Sequence, residues 1–185
     1  MARTLNSAKL RRIDPKQAKA ISQEVKRNPI YLVINDILDT YNIGGFFRLA
    51  DAIAVEKVYL CGRSATPPNP RIVKASVGAY KLVPWEYKET FQEVVAELRQ
   101  VPGIQIVGIE QSEHSQDYRK INYRFPLAFV LGNETKGLSQ ADLKLIDQVA
   151  EIPMYGVNKS LNVMIAAGVV IFRALHAPRR FKLLK

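Results

Sequence analysis

Hydrophobic residues divide the chain into short continuous apolar runs and longer stretches with helical spacing. Residues 31–37, 57–62 and 104–110 form runs that are typical of strands buried on both faces. Between them, apolar residues recur every three or four positions, which predicts amphipathic helices. Because strands and helices alternate, the sequence predicts an α/β domain with a mainly parallel sheet and helices on both faces.

Four helices have recognisable ends. Asp14 and Pro15 mark the start of a basic helix over residues 15–27, Asn42 is read as the start of the next helix, and Thr90 with Glu93 predicts a capping box. The last helix, near residues 160–176, is apolar all round. A buried helix requires such a pattern, and a dimer interface would also explain it.

Residues 126–162 contain two apolar runs that end in small polar loops. The first run, 127–131, is followed by Gly132, Asn133 and Glu134, and the second ends at Pro153. In open α/β sheets, ligands bind at the carboxyl ends of the strands. This segment is therefore the predicted location of the functional site.

The net charge of +10 is concentrated at the two ends of the chain. Residues 1–29 hold eight Lys and Arg and two acidic residues, a net charge of +6. Residues 173–185 hold five Lys and Arg and no acidic residue, a net charge of +5. The remaining residues therefore carry a net charge of −1. This distribution suits a polyanion such as RNA, although solubilising tails would share it. The expected organisation is a basic extension (1–28), one domain (29–177) and a basic tail (178–185). With no secretory signal and no membrane span, a cytoplasmic protein is expected.

Several kinds of chemistry are excluded by residue type and spacing. One cysteine and two histidines cannot build a disulfide framework or a usual zinc cluster, so no metal is expected. A phosphate-binding P-loop needs lysine directly after its second glycine, whereas Lys136 precedes Gly137. Without a nucleophile and histidine pair, the chemistry must use Asn, Ser, Glu, Arg and backbone groups.

Three segments together resemble the motifs of the SpoU (TrmH-type) family of RNA ribose methyltransferases, in the SPOUT class. The first carries Asn42, Gly44 and Arg48, the second reads FVLGNETKGLS, and the third reads IPMYGVNKSLNVMIAAGVVIFRAL. The resemblance covers about Tyr31 to Leu175. It departs at Met164, where the family usually has a small or polar residue, and packing is the expected consequence.

The resemblance implies an S-adenosyl-L-methionine donor, a ribose 2′-hydroxyl of tRNA or rRNA as acceptor, a homodimer and a deep C-terminal trefoil knot. Basic terminal extensions, as in relatives that modify tRNA, favour tRNA. Methyl transfer from a sulfonium mainly requires donor and acceptor to be held in line, so positioning supplies much of the acceleration. A non-catalytic RNA-binding protein of the same fold and an RNA base methyltransferase are the alternatives.

The resemblance also implies the site residues. Arg48 is expected to orient the acceptor and stabilise the forming alkoxide, with a general-base-like role also allowed, although a guanidinium stays protonated. The catalytic candidates are Arg48, Asn42, Glu134, Ser160 and Asn162. The donor-binding candidates are Ile109, Glu110, Leu131, Gly132, Asn133, Ile152, Met154, Ser160 and Leu161.

Each polar candidate has a structural alternative. Asn42 could be only a helix N-cap, and Asn158 or Ser160 could cap the last helix. Arg48 could pair with Asp39 or Asp51 on the surface.

Overall fold

A single parallel sheet runs through the residues that the computed structural model describes, 5–176. Its strand order is β3-β2-β1-β6-β4-β7-β5, and all six neighbouring pairs are parallel, which confirms the predicted α/β class. The strands are β1 (Asn28–Asn35), β2 (Val55–Cys61), β3 (Trp85–Lys88), β4 (Gln105–Ile109), β5 (Gln116–Asp117), β6 (Leu127–Leu131) and β7 (Gln148–Glu151).

Helices cover both faces of this sheet, because its central strands alternate apolar side chains between two cores. In β1, for example, Leu32 and Ile34 enter one core while Val33 enters the other. The first core is covered by α3 (Thr40–Ala52), α4 (Pro70–Ser76), a 3₁₀ turn (Ala79–Lys81) and α7 (Val163–Leu175). The second is covered by α5 (Phe91–Leu98) and the region of α6 (Gln140–Leu143).

The described part of the basic N-terminal extension is folded against the body. It forms α1 (Ser7–Arg12) and α2 (Pro15–Glu24), and Ile13 and Ala18 pack with Leu82 in a small core. The Ser22 hydroxyl donates to the Leu82 carbonyl over 2.6 Å, and the Arg27 guanidinium donates to the Val55 carbonyl over 3.0 Å. The two helices therefore present their basic side chains from a fixed place.

Some predicted element ends were wrong. The basic helix ends at Glu24, and Pro29 lies inside β1. Helix α3 begins at Thr40, because the Asp39 carboxylate accepts the Tyr41 N–H over 2.8 Å and caps the helix. The polar residues 112–125, whose pattern predicts a loop, contain the two-residue strand β5.

Two helix predictions were half right. Thr90 caps α5, but the Glu93 carboxylate accepts the N–H of Glu89 and not that of Thr90, so the capping box is incomplete. Helix α7 packs one face into the core, while Ile165 and Phe172 are 50% and 45% exposed on the other. Burial within one chain therefore accounts for one face of α7, and the dimer interface stays a prediction for the other.

The sequence also made predictions about membrane spans and metal sites, about the C-terminal tail, and about the knot and the domain boundaries. Within residues 5–176 no helix is long and apolar enough to cross a membrane, and no group of His, Cys, Asp and Glu side chains is arranged to hold a metal. The basic tail 178–185 lies outside the described residues. The trefoil knot and the domain boundaries stay predictions.

Candidate functional site

A tight loop follows β6 and forms the floor of the site. Gly132 allows it, since a Cβ there would lie 2.5 Å from the carbonyl carbon of Gly137. The Asn133 side chain holds the loop: its carboxamide oxygen accepts the N–H groups of Thr135 and Lys136, each over 3.0 Å, and its Nδ2 donates to the Asp36 carbonyl over 2.9 Å. The loop is thus fixed to the end of β1.

Glu110, just after β4, holds the same loop from the other side. Its carboxylate accepts the Leu138 N–H over 2.9 Å and the Gln111 N–H over 2.8 Å. Gly137 has φ = +64°, and a Cβ at this position would collide with that carboxylate. Glycine is therefore required here, and the Glu110 side chain has a structural role as well as a place in the site.

Beside this loop lies a cleft of about 300 Å³ at the carboxyl ends of β4, β6 and β7. Because β4 lies between β6 and β7 in the sheet, the two predicted polar loops meet over its end. Apolar side chains of Ile109, Ile152 and Leu161 share the cleft with the polar loop 132–137. In the described structure, the backbone N–H and C=O groups of Ile152, Met154, Ser160 and Leu161 make no hydrogen bond, so they are available to a ligand.

A chain of polar contacts joins this cleft to α3. The Glu134 carboxylate accepts the N–H groups of Leu38 (3.2 Å) and Asp39 (3.0 Å) and the Asn42 Nδ2 (3.1 Å). Asn162 Nδ2 in turn donates to Asn42 Oδ1 over 3.1 Å. The Asn42 side chain thereby contacts both Glu134 and Asn162, which lie 92 and 120 positions further along the chain.

The helix ends explain why these side chains point at one another. Asn42 lies in the first turn of α3, and Asn162 caps α7 by accepting the N–H groups of Met164 (2.9 Å) and Ile165 (3.3 Å). The alternatives that made Asn42 a cap of its helix, and Asn158 or Ser160 the cap of the last one, were wrong.

Glu134 is a carboxylate stabilised in its charged form. Partial burial acts to raise its pKa, but hydrogen bonds from backbone N–H groups and from Asn42 outweigh burial. The pKa of Glu134 therefore lies below the ordinary carboxyl value. A carboxylate with a lowered pKa is a weak base, so this group suits holding α3 in place better than accepting a proton.

Nearly all the donor-binding candidates line the cleft. These are Ile109, Glu110, Gly132, Asn133, Ile152, Met154, Ser160 and Leu161, and the catalytic candidates Glu134 and Asn162 line it too. Leu131 is fully buried beneath the loop and does not line it.

Arg48 lies apart from the cleft, on the exposed side of α3. Within residues 5–176 its guanidinium makes no hydrogen bond or ion pair, so the pairing with Asp39 or Asp51 is not formed. The Asp39 carboxylate caps α3. Burial raises the pKa of Asp51, and the positive charge of Arg27 acts in the opposite direction.

Met164 packs against Gly45, where a Cβ would lie 3.1 Å from the methionine Cγ. That contact agrees with the expected packing consequence. The neighbouring Gly44 allows a closer approach, since a Cβ there would lie 2.4 Å from the Ala75 Cβ of α4.

Sequence reasoning missed other residues that line the cleft. Gln111 is one, and its Nε2 donates to the Lys159 carbonyl over 2.6 Å, which ties the loop before α7 to the end of β4. For the missed residues that directly follow β4 or β6, that position was the available signal, whereas those inside β7 and α7 gave no such signal. The others are Thr135, Lys136, Gly137, Ala150, Glu151, Val163 and Ala166.

Comparison with known proteins decides the family. A family model described as the SpoU rRNA Methylase family matches residues 29–172. This chain belongs to that family. The prediction made from the three motifs is thereby confirmed, and the matched region contains both the cleft and α3.

Curated relatives of this family member act on more than one kind of RNA. The chain is 31% identical to the 23S rRNA (guanosine-2′-O-)-methyltransferase RlmB of Ralstonia nicotianae over 147 residues, which cover 80% of this chain and 58% of that protein. It is 29% identical to the tRNA (guanosine(18)-2′-O)-methyltransferase of Escherichia coli over 161 residues, which cover 85% and 68%.

Solved structures share the fold of this family member. The AdoMet-bound rRNA methyltransferase from Sinorhizobium meliloti superposes with a TM-score of 0.74 at 28% identity, covering 92% of this chain and 61% of that one. The chain thus spans about three fifths of the rRNA-modifying relatives it matches.

Proposed function

We propose that this protein transfers a methyl group from S-adenosylmethionine to a ribose 2′-hydroxyl of RNA. The observation that carries the proposal is the hydrogen-bonded connection from the cleft, through Glu134 and Asn162, to Asn42 on the helix that bears Arg48. Such a connection suits a reaction in which two substrates must be held in line. Membership of the SpoU family and the names of its relatives support the same chemistry.

The cleft fits the donor in size and chemistry. Its volume of about 300 Å³ lies at the small end of the range for ligand sites. Apolar walls at Ile109 and Ile152 suit an adenine ring, and the unpaired backbone groups near Met154 and Leu161 suit its polar edge and the ribose. When bound, S-adenosylmethionine supplies an activated methyl group on sulfur, and the AdoMet-bound relative supports this donor.

The residues of this chain act by orientation and charge. Glu134 and Asn162 hold the start of α3 and α7 beside the cleft, and Arg48 offers a positively charged fork to the ribose or to an adjacent phosphate. A cation at this place stabilises negative charge that develops on the 2′-oxygen, while the 2′ proton leaves to solvent or to an RNA phosphate. Arg48 needs no deprotonation in this scheme.

We favour tRNA over rRNA as substrate. The support is the basic helical pair α1–α2, folded beside α4 and the 3₁₀ turn, together with the similarity to the E. coli tRNA methyltransferase. Modification of rRNA is the competing outcome, since the RlmB relative acts on 23S rRNA.

Calorimetry and a product analysis together test the reaction. Titration with S-adenosylmethionine is expected to show one site per chain, and tritiated donor is expected to label tRNA. Ribose methylation makes the labelled position resistant to alkaline cleavage, whereas a labelled base leaves cleavage intact. Alkali-sensitive label would indicate a base methyltransferase. Binding of RNA without binding of the donor would indicate a non-catalytic RNA-binding protein.

A homodimer through α7 belongs to the same proposal. Ile165, Val169 and Phe172 are 50%, 38% and 45% exposed and form one apolar stripe at helical spacing. A second copy of this chain would bury the stripe. Because Arg48 lies apart from the cleft of its own chain, we assign Arg48 of one copy to the cleft of the other. Sedimentation equilibrium is expected to give twice the chain mass.

A single substitution tests this interface. The variant Phe172→Asp is expected to give a monomer, whereas Tyr87→Asp, an exposed residue on the β3 edge strand, should leave the dimer intact. A wild-type protein that sediments as a monomer at all concentrations would contradict the dimer.

A further inference from the structure

A second concave site lies between α1 and the segment formed by α4 and the 3₁₀ turn. Its volume is about 260 Å³, and it is lined by Arg11, Val73, Lys74, Gly78, Tyr80 and Lys81. Three of these six residues are cationic and none is acidic. No residue of this site belongs to the cleft described above.

One cation in this site is held in a fixed position. The Lys81 ammonium donates to the carbonyls of Arg11 (3.2 Å) and Ile13 (2.8 Å), which leaves one of its three N–H groups for a ligand. Arg11 and Lys74 are exposed, and among residues 5–176 neither side chain forms an ion pair. The positive charge of the site is therefore not neutralised by the described part of the protein.

The backbone is shaped to form this site. Gly78 has φ = +92°, and a Cβ there would lie 2.6 Å from the Leu10 carbonyl oxygen, so only glycine allows α1 to approach this closely. Val77, just before it, has φ = +55°, a strained conformation for a β-branched residue. Strained backbone of this kind is retained where the surrounding structure enforces it, often at binding sites.

Charge is distributed unevenly around the sheet in a way that singles out this side. Residues 5–27 hold seven Lys and Arg against two acids, and residues 63–81 hold four and no acid. Residues 86–100, which include α5 on the opposite face, hold four acids and two Lys and Arg. A polyanion would therefore approach from the side of α1, α2 and α4.

The site is also connected to the helix that carries Arg48. Lys74 precedes Ala75, which packs directly on Gly44 of α3, one helical turn before Arg48. We infer that the site formed by Arg11, Lys74 and Lys81 binds a backbone phosphate of the RNA substrate, and that Tyr80 lies against the adjoining nucleotide. This inference rests on the proposed function, because it takes RNA as the substrate.

Binding of labelled bulk tRNA by the full chain, measured over a series of salt concentrations, tests the site. The double variant Arg11→Gln/Lys74→Gln is expected to weaken binding about tenfold and to lower the slope of log affinity against log salt by about 1 to 2. Both side chains are exposed, so the melting temperature should not change. Titration with S-adenosylmethionine should give the wild-type affinity, since neither residue touches the cleft.

Two matched single variants give the control. Lys74→Gln and Lys144→Gln each remove one exposed charge, but Lys144 ends α6 on the opposite face of the sheet. We expect Lys74→Gln to weaken tRNA binding and Lys144→Gln to bind tRNA like the wild type. Equal loss in both variants, or loss in neither, would overturn it. A wild-type protein that binds tRNA but no donor would instead overturn the proposed reaction and leave this site standing.

Discussion

The two halves of the candidate active site are built in opposite ways. In the donor half, the loop after β6 is held by Asn133, Glu110 and Glu134, each of which uses its side-chain oxygens to accept N–H groups. In the acceptor half, Arg48 is exposed, and its guanidinium has no partner among residues 5–176. The donor half is organised by this chain alone, whereas the acceptor half offers an unpaired charge to a second molecule.

This difference separates stability from activity. Residues that hold the donor half should affect both folding and donor binding when they are replaced. Arg48 should affect the transfer step alone. Replacements at three residues, Arg48, Asn162 and Glu134, test that separation, from the largest expected effect to the smallest.

Replacement of Arg48 by alanine should have the largest effect. Methyl transfer to RNA is expected to fall about 100- to 1,000-fold, the usual loss when one group that stabilises developing charge is removed. The free energy of unfolding should change by less than about 0.5 kcal/mol, because the side chain is exposed. Single-turnover assays and urea unfolding measure the two effects.

The conservative variant Arg48→Lys sharpens this result. It keeps the charge but loses the planar fork, so an intermediate rate is expected. A transfer rate for Arg48→Ala within about threefold of wild type would contradict the assigned role.

Replacement of Asn162 should lower both the stability of the fold and the affinity for the donor. Asn162→Ala removes the cap of α7 and the donor to Asn42, and it is expected to cost about 1 kcal/mol of stability and to weaken donor binding about tenfold. Asn162→Asp restores an acceptor for the cap but not the donor to Asn42, so it should recover stability more fully than donor binding. Urea unfolding and calorimetry separate the two.

Asn69 provides the control, since it caps α4 in the same way by accepting the Arg71 N–H over 3.0 Å. Asn69→Ala should lose similar stability and bind the donor normally. Weaker donor binding by Asn69→Ala would mean that the effect at Asn162 reflects general destabilisation.

Glu134 should show the smallest effect, and that effect should depend on pH. Its pKa is lowered on folding, so its contribution is complete above the unfolded-state value of about 4.3 and is lost as pH falls through the lower folded-state pKa. Glu134→Gln is expected to cost about 1 kcal/mol of unfolding free energy at neutral pH, since solvent partly screens this carboxylate, and to cost nothing in acid. Urea unfolding across pH tests this.

The exposed Glu113→Gln, whose carboxylate makes no hydrogen bond in the described structure, is the matched control. Its effect should stay within about 0.5 kcal/mol at every pH. A Glu134→Gln effect that persists unchanged in acid would show that shape, and not charge, is responsible.

Much of the donor half could be predicted from the sequence because its signals are local. An apolar run that ends in Gly132 and Asn133 indicates both a strand and the loop after it, and the rule for parallel sheets then places a ligand there. Ile109 and Glu110, which the resemblance implied, stand at the end of β4 and carry the same local signal. Leu131 was not distinguished from them, since a periodic pattern cannot tell which end residue of a buried strand remains covered.

The polar connection between the halves could not be predicted, because it joins side chains about a hundred residues apart. The start of α3 was wrong for a local reason: Asp39 was available as a cap three residues before Asn42, and the cap signal was assigned to the wrong side chain. The exposed stripe of α7 was hidden because helical periodicity reports apolar faces without saying which molecule covers them.

Strand β6 has a consequence for how the chain is made. It pairs with β1 on one side and with β4 on the other. It therefore joins the strands β3-β2-β1 to the strands β4-β7-β5. During translation the first three strands and β4 emerge before Leu127, and until then β1 and β4 each keep an open apolar edge. Such edges favour aggregation. Chaperone binding to the nascent chain is therefore expected to weaken once β6 has emerged and inserted, and to end after β7 has paired with the other edge of β4 and α7 has packed on the first core.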